Sequence, residues 1–390
     1  MSHAKQLLGN ICRITSGGTP SRSKQSFFGG GIPWVTITDM LQGTVSYTKE
    51  SLSQDGINNS SAKVLPAGTV LISIFATIGR TAVLGIDAAT NQAIAGIIPD
   101  DQNKLNSQYL RYFLNSKHAF LNSEARGVAQ PNINQGILKV LEIPIPPLSE
   151  QERVVDLLSR AEGIVRLRRD AQKKAAELVP AIFRKMFGDP ESNSHGLQLR
   201  KVSDFVAQFQ GGKNIQSGSE TPNGLRILKV SAVTSGRYLE SESKPAPNNY
   251  VPPTSHFVRE GDMLFSRANT VDLVGATALV ERTDGRTLLP DKLWRIIWSE
   301  DVDVVYMHTL FQDASVRKML GKLATGTSDS MRNISQAKLF ELQLSVAPLV
   351  EQRKFGLLAR QSMGVASTQE MGLVKARESF DSLMAIAFCS

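Results

Sequence analysis

The sequence predicts an α+β chain: two pseudo-repeated α+β heads joined by two long helices that form an antiparallel coiled coil. Three observations carry this. The first half recurs imperfectly in the second, with Gly31 and Gly43 returning as Gly224 and Gly236, and Gly68 and Ser73 as Gly261 and Ser266, all 193 positions on. After insertions the spacing becomes 201, where Asn132-Ile133 meets Asn333-Ile334 and Pro147-Leu148 meets Pro348-Leu349. Each copy then closes on a heptad-patterned stretch. Solenoid repeats are only a few tens of residues long, so this period marks a duplicated domain-plus-helix.

The first head occupies residues 1–148. Short apolar runs at 32–37, 69–74 and 93–98 alternate with Gly, Pro, Asn and Ser, and read as strands separated by turns. Between 107 and 122, Tyr109, Leu110, Phe113, Leu114 and Phe120 fall at helical spacing. Ile143-Pro144-Ile145-Pro146-Pro147 then makes a stiff connector, because proline fixes its own backbone and biases its predecessor away from helix.

The first long helix is expected over 149–190, with Ser149 as N-cap and Glu152 completing a capping box. Its seam reads Val154, Leu157, Ala161, Ile164, Arg168, Ala171, Ala175, Leu178 and Ile182, in alternating steps of three and four. Pro180 is expected to bend or locally open it, and Gly188-Asp189-Pro190 to end it. The second head spans 191–348, with strands at 225–230, 262–265 and 293–298 and an inner helix at 306–320. The second long helix covers 349–390. Its seam, 201 positions on, is Phe355, Leu358, Ser362, Val365, Gln369, Gly372, Ala376, Ser379 and Leu383, with Gln369 matching the polar Arg168. Connectivity makes the helices antiparallel, and about 36 residues at 1.5 Å each imply a spacer of roughly 54 Å between the heads.

A length of 390 residues admits two or three domains, each with its own core. The net charge of +8 points to a polyanionic partner, since phosphate neutralisation supplies much of the affinity in nucleic-acid binding. Cys12 and Cys389 are the only cysteines, which excludes a disulfide framework and a cysteine-based zinc site and suits the reducing cytoplasm. No signal peptide or membrane span is read, and no membrane partner is expected.

Catalytic signatures are missing. His3, His118, His195, His256 and His308 are scattered without metal-ligand spacing, and the glycine clusters lack the strand-to-helix context of a phosphate or dinucleotide loop. No catalytic residue, metal site or resident cofactor is expected. The heads offer instead loops rich in guanidinium, ammonium and amide groups. In the first these are Arg22, Lys24, Thr77, Arg80, Asn91, Gln92, Arg126, Gln130 and Asn132; in the second, Lys213, Asn214, Arg267, Asn269, Lys292, Ser328, Arg332 and Asn333. Arg and Lys suit guanine edges and phosphates, while Asn and Gln bond adenine bidentately.

Several segments carry a resemblance: Pro146-Pro147-Leu148-Ser149-Glu150-Gln151-Glu152-Arg153, the helix end Ile182 to Pro190, Gly127 to Ile133, Pro290 to Arg295, and the second proline motif Pro348 to Arg353. In this order and repetition the chain resembles the specificity subunit of a type I restriction-modification system. The resemblance implies two target recognition domains, each binding one half of a split double-stranded DNA sequence, with the coiled coil docking two methyltransferase subunits. It places S-adenosylmethionine on those partners and ATP on restriction subunits. Ala347, where the first motif has a proline, departs from the pattern. Rival readings are an enzyme (methyltransferase or nuclease) without a short motif, a scaffold with an incidental basic surface, and a specificity-like subunit of another defence system.

Overall fold

The computed structural model describes residues 3–75, 77–125, 132–218, 224–328 and 331–388. The chain divides into two compact units, residues 1–169 with 371–390, and residues 170–370. Each therefore contains a head, the beginning of one long helix and the end of the other.

In the first unit a five-stranded sheet runs in the order Cys12–Ser16, Ile94–Pro99, Val70–Ser73, Thr81–Leu84, Thr44–Val45. A four-stranded sheet orders Glu50–Leu52, Phe28–Val35, Ala88–Thr90 and Val64–Leu65. The three predicted strands lie within these sheets. Val70–Ser73 and Thr81–Leu84 are buried at every position, which explains their unbroken apolar pattern. The inner helix is two helices, Ser107–Ser116 and His118–Ala125, parted at Lys117. It starts where it does because the Asn106 side chain accepts hydrogen bonds from the amides of Gln108 and Tyr109.

The second unit repeats the plan. Its four-stranded sheet orders Val206–Gly211, Leu293–Trp298, Met263–Ser266 and Thr277–Leu279. Its inner helices, Val304–Gln312 and Ala314–Leu323, part at Asp313, and Asp303 caps the first by accepting from Val305 and Tyr306. Of the remaining predicted strands, 293–298 is matched residue for residue, 262–265 becomes Met263–Ser266, and 225–230 shrinks to Arg226–Leu228.

The long helices are Leu148–Phe187 and Leu349–Phe388, of 40 residues each. The first begins before Ser149, so the expected capping box is not its start. The Pro147 carbonyl accepts the first helical bonds, from Glu150 and Gln151, and the fixed backbone of the prolines sets the entry. The helix stays continuous through Pro180 and ends at Gly188, whose φ of 72° only glycine adopts without strain.

In the first unit the helix ends pack antiparallel. Val154, Val155 and Leu158 share a core with Phe380, Leu383, Met384 and Phe388, while farther along Arg168 lies against Gly372. In the second, Phe183 and Phe187 pack edge to face against Phe355, alongside Ala359 and Met363.

The buried stripe follows the heptad seam read from the sequence only in part. Val154, Ala161, Ala171 and Ile182 are half-buried and Ala175 is buried, but Leu157, Ile164, Arg168 and Leu178 are exposed. Gln151, Leu158, Phe183 and Phe187, outside the seam, are buried as well. In the second helix Phe355 is buried, while Ser362, Gln369, Gly372, Ala376 and Leu383 are half-buried and Leu358, Val365 and Ser379 exposed. Ala359, Leu373, Met384 and Phe388 are buried. The stripe keeps alternate seam positions and moves the intervening ones on by one residue, from Leu157, Ile164 and Leu178 to Leu158, Val165 and Val179, and from Leu358, Val365 and Ser379 to Ala359, Ala366 and Phe380. Each helix half must face both its partner helix and a head, so the buried direction lies between the two, which a two-helix heptad rule does not anticipate.

Among the described residues no helix is long and apolar enough to cross a membrane.

Candidate nucleic-acid interface

Strand pairing gathers the candidate loops of each head on one edge of its main sheet. In the first head Cys12–Ser16 ends where Ile94–Pro99 begins (Ala95 opposite Ser16), and Val70–Ser73 ends there too (Ile94 opposite Ser73). Thr81–Leu84 pairs antiparallel with Val70–Ser73 and so starts at the same edge. Asn91 and Gln92, just before one strand, therefore lie beside Thr77 and Arg80 in the hairpin between two others. Asn132 joins them through a bridge to Phe75, and the Ile133 amide donates to the Ile74 carbonyl at 3.1 Å. Thr77 and Gln92 are exposed, and Arg80, Asn91 and Asn132 half-buried.

The second head builds the same edge. Gly211 pairs with Trp294, which places Lys213 and Asn214 beside Lys292. Ser266 pairs with Leu293, which brings Arg267 and Asn269 alongside. Asn269 pairs in turn with Arg332 and Ala268 with Asn333, and the Ile334 amide donates to the Arg267 carbonyl at 2.9 Å. That bond is the counterpart of Ile133 to Ile74, so one construction positions both edges. Ser328 sits in the adjoining strand Thr325–Ser328. Arg126 and Gln130 lie outside the described residues.

The candidates differ in freedom. Arg22 makes a bidentate pair with Glu50, 2.6 and 3.2 Å, with its guanidinium 4.9 Å from the Phe28 ring and 5.1 Å from that of Trp34. It braces the smaller sheet. Lys24 lies over Phe27. Arg267 donates to the Asp291 carbonyl at 2.8 Å and stacks by Trp294, so its head group is positioned rather than free. The Asn269 amide nitrogen is buried and has no hydrogen-bond partner among the described residues. Thr19 donates to Gln92, and the Asn91 side chain accepts from the Ala93 amide, which shapes the turn.

What sequence reasoning missed is how the edges are held. Gln151 and Gln352 are buried, at 0% and 2% exposure. The Gln151 carbonyl oxygen accepts from the Asn106 amide at 2.9 Å, and its NH2 donates to Lys104 and Pro146. Gln352 accepts from the Asp303 amide at 3.1 Å and donates to the Ala347 carbonyl. Each ties the start of a long helix to the N-cap of the head's inner helix. A second tie is Arg111, 5% exposed, which pairs with Glu162 of the long helix at 2.7 and 3.2 Å while Tyr112 donates to the same carboxylate. Burial pushes the Glu162 carboxyl up, but the bonds from Arg111 and Tyr112 and the nearby cations outweigh it and hold it below its ordinary value. The available signal was the repeat of Glu-Gln at offset 201.

No group of acidic, histidine or cysteine side chains among the described residues could hold a metal ion. His308 is half-buried, and desolvation holds its pKa below the ordinary value against the opposing hydrogen bonds to the carbonyls of Thr277 and Gly236.

Residues 5–177 match the family described as the type I restriction modification DNA specificity domain. The chain is 27% identical over 226 residues to the type I restriction enzyme MjaIX specificity subunit of Methanocaldococcus jannaschii, covering 57% of this chain and 50% of that protein. It spans half or less of the length of several curated relatives that it matches. Two solved structures share the fold. One is a type I restriction-modification S subunit from M. genitalium, with a TM-score of 0.57 at 13% identity over 99% of this chain and 96% of that one. The other comes from work on complex assembly and conformational transition of the type I R-M system, with a TM-score of 0.59 at 19% identity over 99% and 97%.

Proposed function

We propose that the chain is a specificity subunit of the type I restriction-modification family, whose domain model, relatives and solved structures it resembles, and that each head reads one half of a bipartite duplex DNA target in the cytoplasm. The long helices set the distance between the half-sites and dock two methyltransferase subunits. S-adenosylmethionine and ATP act on the methyltransferase and restriction partners, and this chain carries out no chemistry of its own. One observation carries the reading. Candidate side chains from separate segments meet on one sheet edge, and the same edge is built twice by the same strand pairing.

The chemistry supports it. The edges present guanidinium, ammonium and amide groups and few acids, which suits phosphates and base edges in a major groove. Phosphate contacts would set register, and Asn and Gln amides would supply base discrimination. On the first half of the first long helix Leu157, Ile164 and Leu167 are exposed on one face, 50%, 52% and 67%, and an apolar stripe of this kind supports partner docking.

Methylation mapping of the host genome before and after deletion of the gene tests the reading, with loss of a split motif expected. Replacing residues 1–148 with another head of the family is expected to change one half-site and keep the other. A simultaneous change in both half-sites would overturn the modular account. Binding of S-adenosylmethionine by the purified chain would favour the enzyme reading instead.

A further inference from the structure

We infer that the first unit holds a seat for a DNA backbone phosphate, formed jointly by the head and the long helix. The inference rests on the reading above and adds to it a contact beyond the sheet edge. A cavity of about 370 Å³ opens between the hairpin Thr77–Arg80, the inner helices and the first long helix. Arg80 enters from the hairpin, His118 from the second inner helix and Arg169 from the long helix. One carboxylate faces it, Glu162, and that is already neutralised by the bidentate Arg111. Neither Arg80 nor Arg169 has a side-chain hydrogen bond or ion pair among the described residues.

The guanidiniums of Arg80 and Arg169, converging from the hairpin and the long helix, repel one another, and an anion placed between them removes that cost. Asn115 adds an NH2 donor, since its carbonyl oxygen already accepts from Thr81 at 2.5 Å. The lining contains no aromatic ring other than His118, unlike the apolar walls typical of small-molecule pockets. The Gly79 backbone, with φ of 84°, brings the hairpin against His118, where a Cβ would stand 2.7 Å from the imidazole. The hairpin bordering the cavity is the one whose Thr77 and Arg80 lie beside Asn91, Gln92 and Asn132. A phosphate held here would sit next to the bases that those amides read, and Arg169 would tie the register of the head on DNA to the long helix.

The full-length chain, in the assembly that purifies from its host, is compared with its Arg169→Ala, Arg80→Ala and doubly substituted forms. Arg169 is exposed on the helix, so its loss spares the head's core. Binding to target and to unrelated duplexes is measured across salt concentrations. Each substitution is expected to lower the slope of log K against log salt, by about 1 in all in the double variant, and to weaken both duplexes by the same factor. The methylated motif is expected to stay the same, and Arg169→Lys to retain most of the slope. Unchanged slope and affinity in the double variant, with the wild-type chain binding DNA normally, would overturn the seat while leaving the recognition reading intact. So would a changed motif, a loss confined to the association of methyltransferase subunits, or saturable binding of free nucleotide that Arg169→Ala abolishes. If the wild-type assembly binds no duplex at all, the recognition reading fails and the seat fails with it.

Discussion

At the scale of single residues, the structure separates side chains that look alike in sequence. Arg22 and Arg80 both follow a glycine turn, yet Arg22 is occupied by Glu50 and two aromatic rings while Arg80 faces an open cavity. Gln151 and Gln352 read as ordinary polar residues of a first helical turn and prove to be buried amides with three and two partners. Replacing either with Leu strands those backbone groups, so a loss of about 1–3 kcal/mol is expected in denaturant unfolding. Removing the carboxylate charge of Glu162 leaves the buried Arg111 without its ion-pair partner, and because the Glu162 side chain is partly open to screening solvent, Glu162→Gln is expected to cost about 1–2 kcal/mol at neutral pH. Because the Glu162 carboxyl is held below its ordinary value, its contribution is present above the unfolded value, ~4.3, and lost as pH falls through the lowered one. The stability gap between wild type and Glu162→Gln is therefore expected to be widest near pH 7 and to close on acidification below about pH 4. A gap independent of pH would show that the carboxylate charge is not what matters.

At the scale of elements, the long helices were legible in position and length but not in orientation. The proline connectors and the repeat at offset 201 place both starts, and Gly188 places one end. The heptad pattern could not report the buried face, because Leu157 and Leu158 compete for it and only the neighbouring head decides between them. Truncation distinguishes the two registers. Leu158→Ala and Phe183→Ala are expected to cost about 3 kcal/mol each, and Leu157→Ala and Leu178→Ala less than about 1. Thermal unfolding of the four variants measures this, and equal losses would restore the heptad seam. The strands were legible because fully buried segments read as continuous apolar runs. The break between the inner helices at Lys117 and Asp313 was not, since the apolar spacing continues across it.

At the scale of the whole molecule, the repeat is a repeat of contacts as well as letters. Phe187 packs 5.1 Å from Tyr306 in one unit, and Phe388 packs 5.1 Å from Tyr109 in the other. The end of each long helix thus closes onto a head's inner helix in the same manner. If the helices set the distance between half-sites, deleting one heptad from Leu148–Phe187 together with its counterpart in Leu349–Phe388 removes about 10 Å of rise. The methylated motif is then expected to shorten its spacer or disappear, with both half-site sequences unchanged wherever methylation persists.

The sequence by itself determined the duplication, the alternation of strand and helix, the helix starts and the chemistry of the loops, all encoded in local period, turn residues and composition. Tertiary structure alone decided which loops share an edge, which arginines are free to meet a ligand, and which face of each long helix is buried. The physical reason is that these depend on partners distant in the chain. Antiparallel pairing brings strand ends into register across long connections, and a side chain's exposure is set by whatever packs over it.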